Sequence, residues 1–163
     1  MSAAHIRICL VAFLLDFAVM VGMLVTPFFV FNQLGGTAGT SGLFGSVQAI
    51  VYAGVCLAST RFVARATNGL NWALTGILVY AAFFCLMPAF RDWRICLLVS
   101  SVASGALALV WPALHSWVGA EADPAVRSRT MGWFNVSWSF GFCLSPLFAG
   151  PLYDATYWYP FIL

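Results

Sequence analysis

Charged side chains are scarce in this sequence. Lysine is absent from its 163 residues, and only 7% of them are Asp, Glu, Lys or Arg. A soluble domain carries about 25% charged residues, so this chain has too few to cover a surface that faces water. The formal net charge is only +2, and no run of basic residues exists that could follow a phosphate backbone. These shortages exclude a soluble globular domain and a nucleic-acid-binding protein.

Motifs of catalysis and of metal or cofactor binding are also missing. The sequence contains no phosphate-binding loop, no zinc-like spacing of His and Cys, and no Ser, His and Asp order typical of hydrolases. Its five cysteines form no Cys-x-x-Cys pair and lie in or beside apolar runs, where they read as small buried side chains. We therefore expect no enzyme activity, no cofactor and no metal.

Apolar residues are abundant instead, at 63% of the chain, and the mean hydropathy is +0.95. A spanning helix needs about 20 mostly apolar residues. The sequence predicts five such segments and the start of a sixth: residues 8–32, 43–60, 70–90, 95–118, 131–150 and 158–163. We expect an all-α integral membrane protein with one membrane domain over residues 1–163. Because the last segment is too short to span, we expect the chain to be a fragment that stops inside a sixth helix.

The arginines predict the orientation in the membrane. If the N-terminus is cytoplasmic, only Arg91 and Arg94 lie outside, and the remaining arginines are cytoplasmic: Arg7, Arg61, Arg65, Arg127 and Arg129. This asymmetry follows the positive-inside rule. We therefore expect a cytoplasmic (inner) membrane protein with its N-terminus inside.

Small and polar residues recur at helical spacing on three predicted helices. The second helix carries Ser41, Gly45, Gln48, Tyr52 and Ser59, the fourth Ser100, Ser104, Trp111 and His115, and the fifth Gly132, Asn135, Ser139 and Pro146. The third helix is apolar on most sides, which indicates a peripheral position. These stripes predict a polar inner surface. Trp111 and Trp138 lie deeper in their helices than Trp117 and Trp133, so they are candidates to contact a solute.

Asp16 is the only acid deep inside a predicted spanning segment. A charge there costs roughly 2.5–3.5 kcal/mol on insertion scales, so it usually faces a cavity or a partner. One interpretation is a carboxylate that binds a solute or an ion. The alternative is an acid near the cytoplasmic interface, because Asp16 lies little more than two turns after Ile8. His115 also has two interpretations. It could bind a proton or the solute, or it could be an interfacial histidine in contact with water.

Glycine and proline interrupt the fifth apolar segment in a specific pattern. The arginine-bearing run Arg127-Ser128-Arg129 precedes it, and the segment itself contains Gly141-x-x-x-Ser145-Pro146-x-x-x-Gly150. This stretch resembles the fourth loop and fifth helix of the major facilitator superfamily, whose signature is Gly-x-x-x-Gly-Pro-x-x-Gly-Gly. Ser145 replaces the glycine before Pro146. The resemblance implies that Pro146 kinks the helix and that Gly141 and Gly150 allow close contact with a neighbour.

The loop between the second and third helices departs further from that family. The family usually has Gly-x-x-x-Asp-Arg-x-Gly-Arg-Arg there, whereas Thr60-Arg61-Phe62-Val63-Ala64-Arg65 keeps two arginines and lacks the Asp and the central Gly. The resemblance implies a cytoplasmic gate that involves Arg61, Arg65 and Arg127, in a divergent form.

The resemblance further implies twelve helices in two six-helix halves, with a solute bound between the halves at the middle of the membrane. This chain would be most of the N-terminal half, and the missing C-terminal half would be its partner. The implied activity is secondary active transport of a small solute by alternating access, coupled to a proton or another ion. The candidate binding residues are Asp16, Gln48, Tyr52, Trp111, His115, Asn135 and Trp138. Two alternatives stay open: a membrane-embedded enzyme or assembly factor, and a non-transporting membrane scaffold or receptor.

Overall fold

The computed structural model describes residues 2–63 and 69–163, with the side chains of residues 60–63 outside that description. The described residues form helices and no strands. The helices are α1 (Ala3–Leu34), α2 (Ala38–Val63), α3 (Gly69–Leu86) with a short 3-10 turn (Met87–Ala89), α4 (Trp93–Leu107), α5 (Val110–Gly119), α6 (Pro124–Ala155) and α7 (Tyr159–Ile162). This confirms the predicted all-α class.

Within the described ranges, four helical stretches are long and apolar enough to cross a membrane. They are Ala3–Leu34, Ala38–Ser59, Gly69–Ala89 and Trp93–Gly119. They correspond to the first four predicted segments. The fifth, 131–150, lies inside α6 but is not one of the four, because its serines, glycines, tryptophans and Asn135 lower the mean hydropathy. The prediction of five full spans and the start of a sixth is therefore corrected to four membrane-capable stretches.

The predicted helix 95–118 is divided into α4 and α5 by a turn at Ala108 and Leu109. Pro112 explains the division, since it has no amide hydrogen and its ring clashes with the carbonyl group four residues earlier. That carbonyl belongs to Ala108. The chain tightens there, and the amide of Leu109 donates to the Ala106 carbonyl at 3.1 Å. The apolar run alone gave no sign of this turn.

The start of α6 is fixed by Asp123. Its side chain accepts hydrogen bonds from the amides of Ala125 at 2.8 Å and Val126 at 3.4 Å, and Pro124 occupies the first turn, where a missing amide hydrogen is harmless. From there α6 runs for 32 residues, about 48 Å at 1.5 Å per residue.

The chain forms two compact units, residues 1–25, 117–161 and 163 in the first, and residues 26–116 and 162 in the second. In the second unit, α4 packs against both α2 and α3. Gly76 allows α3 to approach α4 closely, because a Cβ atom at this position would lie 2.6 Å from the Ala106 carbonyl oxygen. The buried residues of α3 are Ala73, Gly76 and Phe84, and Leu74 and Leu78 stay exposed. Thus α3 contacts protein along one stripe.

Candidate functional site

Asp16 lies on the buried face of α1, in the first unit. The buried residues His5, Cys9, Ala12, Asp16 and Val19 recur at intervals of three or four, so they form one stripe along the helix. Asp16 is 7% exposed, and among the described residues its Oδ2 atom has no hydrogen-bond partner. The acid that the sequence singled out is therefore buried, with an unsatisfied oxygen.

At Gly141, α6 approaches the backbone of α1 closely. A Cβ atom at Gly141 would lie 2.5 Å from the Phe13 carbonyl oxygen and 3.0 Å from the Phe17 amide nitrogen. Aromatic pairs flank this contact: the ring centroids of Phe13 and Phe140 are 5.9 Å apart, and those of Phe17 and Phe148 are 5.4 Å apart. Asp16 lies in the same helical turn, between Phe13 and Phe17. The contact with Gly141 therefore restricts rotation of the part of α1 that contains Asp16.

Ser145 compensates for the proline that follows it. In a regular helix, residue 146 would donate its amide hydrogen to the carbonyl of Phe142, and Pro146 has none. The Ser145 hydroxyl donates to that carbonyl oxygen at 2.8 Å, as serine side chains do beside prolines in membrane helices. Ser145 is fully buried, and α6 continues through Pro146 as a helix. The serine that replaces the signature glycine thus has a structural role that the sequence comparison did not show. The kink at Pro146 stays a prediction.

Gly150 differs from Gly141. No heavy atom in the described part of the chain lies within 4 Å of the position that a Cβ atom would take at Gly150. Gly150 is exposed, so the described residues supply no close neighbour there, and the expected close contact at Gly150 stays a prediction.

Asn135 and Trp138 meet on the accessible side of α6. The Trp138 indole Nε1 donates to the Asn135 side-chain oxygen at 3.1 Å. Asn135 is exposed and Trp138 half-buried. A shallow cavity of about 370 Å³ follows the same side of the helix and is lined by Asn135, Val136, Ser139, Phe140 and Cys143. This face of α6 therefore offers an amide, an indole and a hydroxyl to a small molecule.

The other candidate binding residues lie in the second unit. Gln48 and Tyr52 are half-buried on α2, and the Gln48 backbone carbonyl accepts a hydrogen bond from the Ser104 hydroxyl at 3.0 Å. On α5, Trp111 is half-buried and His115 is exposed. The structure thus brings the polar stripes of α2 and α4 together at Gln48 and Ser104.

The predicted gate is described only in part. Arg127 is exposed in the first turn of α6, where its amide donates to the Asp123 carbonyl at 2.8 Å. Arg65 lies outside the described residues, and so does the side chain of Arg61. The gating role of these arginines stays a prediction.

His5 is a polar residue that the sequence analysis did not select. Its Nε2 atom lies 3.3 Å from a Glu121 carboxylate oxygen, and its ring meets Trp117 edge-on with centroids 5.7 Å apart. The Ser2 amide donates to Nδ1 at 3.3 Å, so neutral His5 carries its proton on Nε2, the atom nearest the Glu121 carboxylate. This pair connects the start of α1 to the loop before α6. The two residues are too far apart in the sequence for a local pattern to reveal it.

Metal-binding groups do not assemble in the described residues: among residues 2–63 and 69–163, no three His, Cys, Asp or Glu side chains come together in a way that could hold an ion.

A family model described as Major Facilitator Superfamily matches residues 8–163, which is nearly the whole chain. No curated protein and no solved structure matches the chain significantly.

Proposed function

The chain belongs to the Major Facilitator Superfamily, and we propose that it forms part of a secondary active transporter that moves a small solute by alternating access. In transporters of this kind, two structural repeats rock about a site near the middle of the bilayer. The match over residues 8–163 and the four membrane-capable stretches support this proposal. We further propose that a second six-helix half completes the site, and that the protein lies in the inner membrane with its N-terminus in the cytoplasm.

The observation that carries the proposed coupling is the burial of Asp16. A carboxylate inside a membrane helix is costly unless it faces a partner, a cavity or a pathway. Among the described residues, Oδ2 of Asp16 has no hydrogen-bond partner. No hydrogen bond to that oxygen therefore favours either the protonated or the ionised form of the carboxyl. We propose that Asp16 accepts a proton when its surroundings are closed and releases it when they open to water.

The proposed solute-binding residues are polar and aromatic. Asn135 and Trp138 already pair with each other on an accessible face of α6, and we propose that a solute exchanges with that hydrogen bond. In the second unit, Gln48 and Tyr52 of α2 and Trp111 and His115 of α5 are proposed, by themselves, as further solute-binding residues. These groups suit a small solute with hydrogen-bonding groups and a flat or apolar part.

Proton movement in proteoliposomes tests the proposal. The protein with both halves is reconstituted with a pH-sensitive dye in the lumen, and small solutes are added in pools. We expect at least one pool to change the lumenal pH in the parent protein. The signal is expected to disappear in Asp16→Asn, which keeps the shape of the side chain and removes its titration. The control is Asp154→Asn, because Asp154 is an exposed acid near the end of α6.

Two results would contradict the proposal in different ways. If uptake occurs and Asp16→Asn responds as the parent does, Asp16 is an interfacial acid without a coupling role. If no solute moves in any variant while the protein remains folded, the transport function itself is wrong.

A further inference from the structure

An apolar groove runs along α4 beside α2, with α3 bordering the part farther from Arg94, entirely inside the second unit. It consists of two cavities of about 470 and 390 Å³. Both are lined by Val51, Ser101 and Val102, so they are continuous. The first extends to Arg94 and Leu97, and the second to Gly105 and Leu109.

The groove has the length and the lining of an acyl-chain site. From Arg94 to Leu109 the chain advances fifteen residues, about 22 Å at 1.5 Å per residue. One leaflet of a bilayer has a hydrocarbon depth of about 15 Å. The lining is mostly aliphatic, and the Ser101 hydroxyl donates within its own helix to the Leu97 carbonyl at 2.6 Å. The walls therefore suit a hydrocarbon chain better than a polar solute.

A cation lies at one end of this groove. The Arg94 guanidinium is 5.4 Å from the ring centroid of Trp93, and arginine and tryptophan are typical residues of the membrane–water interface. The neighbouring carboxylate, Asp92, accepts from the Arg94 backbone amide at 2.8 Å and thereby caps α4. In the described part of the chain, no acid forms an ion pair with the Arg94 side chain. The groove thus has a positive charge without an acidic partner at its interfacial end, and the rest of its lining is apolar.

We propose that this groove binds one anionic phospholipid, with the phosphate at Arg94 and an acyl chain along α4 toward Leu109. A free anion would neutralise the Arg94 charge but would leave the apolar part of the groove uncovered. A helix from another segment would cover the apolar part but would bury the Arg94 charge, unless that helix also supplied an acid. A phospholipid satisfies both parts, and the bilayer supplies it. This site is separate from the proposed transport residues and does not depend on transport.

Lipid binding to the purified protein in detergent tests the charged end. Native mass spectrometry measures the apparent Kd of phosphatidylglycerol and of phosphatidylcholine with matched acyl chains. We expect phosphatidylglycerol to bind about fivefold more tightly, because one basic side chain near a membrane surface contributes about 1 kcal/mol toward anionic lipid. Arg94→Gln is expected to remove this preference, and Arg94→Lys to keep it. Arg91→Gln is the control, because Arg91 donates to Gln33 at 3.2 Å and does not line the groove.

A second variant tests the apolar part. Ser101→Leu fills the groove where the two cavities join and should weaken both lipids by a similar factor, whereas Cys143→Leu on α6 should weaken neither. Glycerol phosphate should not compete with phosphatidylglycerol. The proposal is overturned by equal affinities in the parent, by a preference that survives Arg94→Gln, by Ser101→Leu binding as Cys143→Leu does, or by competition from glycerol phosphate, which would indicate a free-anion site.

Discussion

Replacing Gly141 with alanine should separate α1 from α6. The added Cβ atom would lie 2.5 Å from the Phe13 carbonyl oxygen and 3.0 Å from the Phe17 amide nitrogen. Both atoms belong to the backbone of α1, so no side chain can rotate away to make room. Overpacking of this kind costs about 1–3 kcal/mol. Alanine is also the better helix former, by up to about 1 kcal/mol, so an observed loss would be net of that gain.

The assay is thermal unfolding of the protein in detergent. For a chain of this size, 1 kcal/mol corresponds to a change in Tm of roughly 2–4 °C. We expect Gly141→Ala to lower Tm by several degrees and Gly141→Leu to lower it further. Gly150→Ala is the matched control, because the space at Gly150 is open in the described structure, and its Tm should stay the same or rise. Equal Tm values for Gly141→Ala and Gly150→Ala would refute the close contact between α1 and α6.

Three further predictions follow from individual contacts. Ser145→Ala should lower stability by about 1–2 kcal/mol, because it leaves the Phe142 carbonyl without a donor. The loss from Ser145→Ala should be smaller when Pro146 is also replaced by alanine. Ser137→Ala should cost less than Ser145→Ala, because the Ser137 hydroxyl bonds to a carbonyl that already has a partner in the helix. Equal losses in all three comparisons would contradict the role of Ser145 as a substitute donor beside Pro146. A double-mutant cycle with His5→Gln and Glu121→Gln should give a coupling free energy of about 0.2–1 kcal/mol, and a coupling of zero would mean that the pair does not hold the start of α1. Residues 1–163 alone should show no solute uptake in proteoliposomes, since we expect the site to need both halves, and saturable uptake by that chain would disprove this expectation.

The fold class could be predicted from the sequence because a bilayer imposes simple requirements. Long apolar runs with few charges are stable there only as helices, and the first four predicted segments overlap the four membrane-capable stretches. Interruptions within such runs are harder to predict. Pro112 divides α4 from α5, whereas α6 continues through Pro146 with Ser145 bonded to the free carbonyl. Both prolines lie in apolar runs, so hydropathy does not distinguish the two outcomes.

The candidate site was predictable only where the chemistry is unusual. A lone acid in an apolar run attracts attention at once, and Asp16 is indeed buried. Glycines are ambiguous in a sequence, because the same residue type marks the tight contact at Gly141 and the open surface at Gly150. The His5–Glu121 pair could not be foreseen, since two ordinary polar residues meet only after the chain has folded.

The central claim is that Asp16 is the coupling group of a transporter. It is tested by comparing solute accumulation driven by a pH gradient with solute exchange in the absence of a gradient. The protein with both halves is reconstituted, and the solute that moves protons is followed as a labelled compound. One assay measures uptake under a pH gradient, and the other measures exchange at equal pH and equal solute concentration. We predict that Asp16→Asn loses accumulation and keeps exchange, because exchange does not require the carboxyl to release its proton, while Asp154→Asn keeps both. Accumulation by Asp16→Asn at the level of the parent would contradict the account.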